Sequence, residues 1–150
     1  MPMFRMSSLL HIFGPLLIGG FIYIGWRSPS LHMFVWLDQL GCTSAVTLLR
    51  EQVHPFERLM PEWLLYSVPD GAWVWSMTSC FTLIWKQCNS KESTFWILSP
   101  ILLGIGSELG QWAGLVPGTF DFTDLGVMLF AFIVPYLSLR EVNPIGLLKD

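Results

Sequence analysis

Four polar side chains in one short stretch have types and spacing that could do chemistry together. In GSELGQWAGLVPGTFDFTDLG, Glu108 and Gln111 are three apart, and Asp121 and Asp124 repeat the spacing. Residues three apart share a helix face, so each pair presents its polar groups the same way. Three carboxylates and an amide so placed could ligate a divalent cation through oxygen, or meet a cationic headgroup or amine. A single acid set apart by its surroundings could act as a general acid or base.

The setting of these residues is apolar. Glu108 follows ILLGIGS in what reads as a membrane helix. An ionised side chain there costs several kcal/mol unless it is paired, hydrated or protonated. Gly104, Gly106 and Gly110 would let a neighbouring backbone come close. The structural alternative for Glu108 is a clasp to the next helix or to a hydroxyl such as Thr78. The other acids have ordinary roles at helix starts. Asp70 in VPDGAW and Asp121 in GTFDFTD are good N-caps, and Asp124 falls in a first turn, where acids meet the positive end of the helix dipole.

Composition sets the elements that must position them. The chain is 150 residues long, 53% hydrophobic and 13% charged, with eight Trp and eleven Phe. Soluble domains are about 25% charged. The expected class is an all-α, integral membrane helical bundle forming a single domain over 1–150. Spans of about 20 apolar residues are expected at about 8–26, 70–86, 94–114 and 121–139, with kinks at Pro100 and Pro135. The N-terminal run resembles a signal peptide, but no small-residue cleavage site follows it, so it is read as the first span. The segment at about 27–69 reads as amphipathic and interfacial, broken near Gly41, with Trp63 and Tyr66 in an aromatic belt. A fifth span over 31–49 is the competing reading, opposed by Asp38 and Gln39. The tail REVNPIGLLKD reads as a cap on the last helix.

Four spans with the N-terminus inside put Arg5, Lys86, Lys91, Arg140 and Lys149 in the cytoplasm, and Arg27, Arg50 and Arg58 outside. That asymmetry favours both termini in the cytoplasm. Asp70, Glu108, Asp121 and Asp124 then all fall toward the outer face. Arg27, directly after the first span, could pair with one of them, hold a lipid phosphate, or remain a snorkelling surface residue.

Several classes are excluded or left open. No basic tract points to nucleic acid. Cys42, Cys80 and Cys88 fit no zinc spacing, and His11, His32 and His54 are scattered, so neither metal nor cofactor is expected. His32 and His54 could join an outer site from the interfacial segment. The GxSxG nucleophile motif is absent and no complete catalytic constellation is legible, which leaves enzymatic activity undecided.

The stretch SELGQWAGLVPGTFDFTDLGVMLFA resembles the signature of the VanZ-like membrane proteins. Those carry Glu-x-x-Gln late in one helix, a short turn, and Asp-x-x-Asp opening the next. The matching residues here are Glu108, Gln111, Asp121 and Asp124, with Asp70 in MPEWLLYSVPDG as a looser correspondence. The likeness covers about 25 residues of the C-terminal third, together with the small multi-span plan. Two features depart from it: the turn VPGTFD lacks the Arg often found before the first Asp, and LGVMLFA lacks the Asn after the second. The resemblance implies a bacterial inner-membrane protein loosely associated with the cell envelope and teicoplanin-type glycopeptide resistance. It supplies a site more than a reaction.

The expected function is therefore an outer-leaflet acidic site that binds a lipid-linked or cationic ligand. Glu108, Asp121 and Asp124 would form its core, Gln111 would orient and Asp70 assist. The alternative is a non-catalytic accessory subunit, packed against a membrane partner or another copy of itself, with the acids as intersubunit clasps. A small transporter using Glu108 as a proton or cation site is a third reading, and would need oligomers. Beyond these, the expected partner is the lipid bilayer.

Overall fold

The computed structural model describes residues 6–140. Its secondary structure is helical throughout: α1 (Met6–Trp26), α2 (His32–Gln39), α3 (Thr43–Val53), a 3-10 helix (His54–Leu59), α4 (Glu62–Trp85), α5 (Lys91–Trp112) and α6 (Phe122–Arg140). The residues read as a C-terminal cap, 141–150, and Arg5 lie outside the described range.

Helix α4 is the centre of the bundle. It packs most extensively against α6 and α1 and more lightly against α5, which is held at the edge. Small residues make this possible. A Cβ at Gly19 of α1 would lie 2.7 Å from the Ala72 Cβ of α4, and one at Gly71 would lie 2.5 Å from Val127 of α6. Backbones that approach this closely gain many small dispersion contacts. Val74, Ile101, Met128 and Ala131 form the apolar centre, from α4, α5 and α6 in turn. Gly104 sits against Met128 and Val74. These contacts set the register that brings residues 70, 108 and 124 to neighbouring depths.

Polarity is inverted relative to a water-soluble bundle. Buried side chains include Ser67, Ser76, Thr78, Ser79, Thr82, Ser93 and Glu108, whereas Leu17, Ile84, Leu103 and Phe130 are exposed. Among the described residues, α1 and α6 are long and apolar enough to cross a membrane. Helices α4 and α5 are as long, but acids and hydroxyls dilute their hydropathy; most of those in α4 are buried, as are Ser93 and Glu108 in α5.

The second long helix differs most from expectation. It starts at Glu62, not near residue 70, because Pro61 in extended conformation (φ −67°, ψ 148°) ends the preceding segment and leads directly into it. Pro69 stays inside the helix. A proline there removes one backbone bond, and such a loss is tolerated where neighbouring helices support the turn. Asp70 therefore does not cap α4; it lies in the third turn. The preceding α2 and α3 have no buried residues and are separated at Gly41, whose φ is +73°. Arg50 ties α3 to the bundle. Its Nη1 donates to the carbonyls of Ile24 (2.9 Å) and Arg27 (2.8 Å), acceptors that the end of α1 leaves free.

Candidate functional site

The site is built around the turn from α5 to α6. Helix α5 closes in a Schellman motif: the Leu115 N–H donates to the Gly110 carbonyl (2.8 Å) and the Gly114 N–H to the Gln111 carbonyl (3.0 Å). Gly114 takes the left-handed conformation that this closure needs (φ +70°). The chain turns again at Gly118 (φ +139°), and the Gln111 amide packs directly against it. Asp121 then caps α6: its Oδ1 accepts the Thr123 N–H at 2.8 Å.

Glu108 joins the two helices. It is only 2% exposed, and its Oε2 accepts the Asp121 N–H at 3.2 Å. The carboxylate of α5 thus satisfies one of the donors that the start of α6 leaves free. Of the two clasps open to it in the sequence, the structure forms the one to the next helix. Thr78 lies deeper, buried and without a hydrogen-bond partner.

The remaining acids come from the same end of the bundle. The negative charges of Asp124, Asp70 and Asp121 all act on Glu108, and Asp124 acts on Asp70. The acids from α4, α5 and the start of α6 therefore share one electrostatic neighbourhood. Arg27 approaches from the end of α1: its Nη2 lies 3.8 Å from Asp70 Oδ2 and donates to the Tyr66 carbonyl at 3.5 Å. Its guanidinium sits over the rings of Tyr23 (5.4 Å) and Tyr66 (4.9 Å), at distances favourable for cation–π attraction. Of the four acids, Asp70 is the one that Arg27 meets directly. A cleft of about 240 Å³ between α1 and α4 runs up to it, walled by Leu16, Tyr23, Ile24 and Trp73, with Asp70 the one charge among its described lining.

Most of the expected residues meet here, but their roles differ. Glu108 is the buried clasp, Asp121 a cap, Asp124 half-buried in the first turn of α6, and Asp70 the partner of Arg27. Gln111 props the turn at Gly118. His54 pairs instead with Glu57 at 3.3 Å. Among the described residues, no three His, Cys, Asp or Glu side chains converge tightly enough to hold a metal ion.

Tyr23 and Ser67 are residues near the site that the sequence reading did not single out, and Tyr66, read there as part of an interfacial belt, stacks on Arg27 instead. The signal for Tyr23 was present: it stands four residues before Arg27, on the same helical face. Ser67, buried and without a hydrogen-bond partner, stands three before Asp70. The likeness of its spacing to that of a polar pair was hidden while residue 70 was taken as the first of the helix.

A carboxylate cluster with an apolar cleft beside it can attract and hold a cationic group attached to an apolar body. No protein-family model, curated protein or solved structure matches the chain.

Proposed function

We propose that the chain is a four-span protein of the bacterial cytoplasmic membrane, VanZ-like in its C-terminal third, with both termini in the cytoplasm. Its outer-facing acidic site binds a lipid-linked or cationic ligand. Glu108, Asp121, Asp124 and Asp70 supply the negative field, and Gln111 holds the turn that carries two of them. Binding is favoured over catalysis because no complete catalytic constellation is legible in the sequence.

The observation that carries this reading is that carboxylates from three helices, Asp70 of α4, Glu108 of α5 and Asp121 with Asp124 at the start of α6, lie near enough to influence one another, with Arg27 against Asp70. Ordinary helix capping requires no such meeting. The four-span plan is supported by the inverted burial: hydroxyls inside and large apolar side chains outside suit a lipid exterior and not water. The cleft beside Asp70 suits an apolar tail.

The test is expression in a glycopeptide-susceptible bacterium. The wild-type chain should lower teicoplanin susceptibility. Glu108→Gln keeps an acceptor for the Asp121 N–H, and Asp124→Asn keeps the shape of the first turn. Both should accumulate normally in the membrane and lose the protection. Full protection by both variants would sink the acidic-site reading.

A second reading has its own support. Helix α5 is only lightly packed, and Phe95, Leu102, Leu103 and Leu109 are exposed along it. A non-catalytic accessory subunit would use such a face against a membrane partner. It should co-purify with that partner and tolerate Glu108→Gln.

A further inference from the structure

A second polar site lies at the opposite end of the bundle from the acids. The turn between α4 and α5 and the last turns of α6 enclose a crevice of about 260 Å³. Two cations line it, Lys86 and Arg140, and no acid is among its described lining residues. Glu92, in the first turn of α5, is exposed and outside the lining, its carboxylate held by the Ser90 hydroxyl and its own backbone N–H. Thr82 forms part of the wall. It is 1% exposed, and its hydroxyl has no hydrogen-bond partner. A buried hydroxyl left in this state costs free energy unless something in the crevice accepts its proton.

The surrounding geometry favours an anion. Helix α5 begins here with a reciprocal capping box, Ser90 and Ser93 each accepting the other's backbone N–H. Arg140 Nη1 donates to the Tyr136 hydroxyl, with its guanidinium carbon 5.2 Å from the ring centroid, which holds the guanidinium at the crevice. Guanidinium, ammonium and a free hydroxyl donor together match the oxygens of a phosphate group.

We propose that this crevice binds an anionic phosphate group, carried either by a membrane lipid or by a soluble molecule. The two sources share one chemistry: negative oxygens received by Lys86, Arg140 and the Thr82 hydroxyl. The site is independent of the acidic cluster and of any function assigned to it.

The experiment is thermal unfolding of the full-length protein in lipid nanodiscs. Ligands that bind only the folded state raise Tm. The probes are inorganic phosphate added to phosphatidylcholine discs, and discs of equimolar phosphatidylcholine and phosphatidylglycerol. At least one should raise Tm for the wild type. A rise with phosphatidylglycerol alone identifies a lipid source; a rise with inorganic phosphate identifies a soluble one. Lys86→Gln/Arg140→Gln should abolish the rise, and Lys91→Gln, outside the crevice, should retain it. Thr82→Val, which keeps the volume and removes the hydroxyl, should reduce it. If the double variant does not fold, Lys86→Gln alone and Thr82→Val carry the comparison. No rise with either probe, or an undiminished rise in the crevice variants, overturns the proposal.

Discussion

Glu108 has two separable tasks. One oxygen holds the Asp121 N–H, and its charge adds to the field of Asp124, Asp70 and Asp121. Glutamine can perform the first task and not the second; alanine performs neither. Leaving a buried donor unmet costs about 1–3 kcal/mol. Glu108→Ala should therefore be less stable than Glu108→Gln by about that amount, measured by unfolding in the same detergent. Equal stability of the two variants would show that the clasp contributes nothing. Arg27 is the second decisive residue, since among the described residues it is the cation paired with these acids and is itself held over two tyrosine rings.

Helices place these residues through close approach more than through bulk. Gly71 sits one residue from Asp70, and a Cβ there would collide with Val127 of α6. The contact fixes the depth of Asp124 relative to Asp70. Gly106 on α5 has nothing within 4 Å of where a Cβ would be. Gly71→Leu should force α4 and α6 apart, with an overpacking cost of about 1–3 kcal/mol or more. Gly106→Leu should leave stability nearly unchanged. Unfolding curves of the two variants decide it, and equal loss in both would mean that α5 packs against something at Gly106. The same element-level view accounts for α4 passing through Pro69. The helix is clamped between α1 and α6 on either side of that turn, at Gly19 and Gly71.

Across the whole molecule, the proposed topology separates an acidic end from a basic end. Single cysteines at Arg58, Thr119 and Asn89 test it in a background where Cys42, Cys80 and Cys88 are replaced by serine. All three positions are exposed. Residues 58 and 119 should label with an impermeant reagent applied outside the cell, and 89 should label only after permeabilisation. Labelling of 58 and 119 from opposite sides would contradict the four-span arrangement, although the spatial meeting of the acids would stand.

The helical class was legible in the sequence because long apolar runs and prolines mark helices without reference to partners. The acidic pairs were legible too, since a three-residue spacing fixes a shared face wherever the helix goes. Gly41 and the turn after Trp112 were readable as breaks, because their backbone conformations are local properties. The start of α4 was not. Pro69 beside Asp70 and Gly71 looks like a helix boundary locally, and only the clamping of that turn by α1 and α6 keeps it helical. The partner of Glu108 was equally beyond reach. A carboxylate can accept from any donor nearby, and the choice of the Asp121 N–H over the Thr78 hydroxyl depends on how α5 and α6 meet. Hydrogen bonds across helices are set by register, and register here follows from Gly71 against Val127 and Gly104 against Met128. Such contacts between distant residues leave no periodic trace along a single chain.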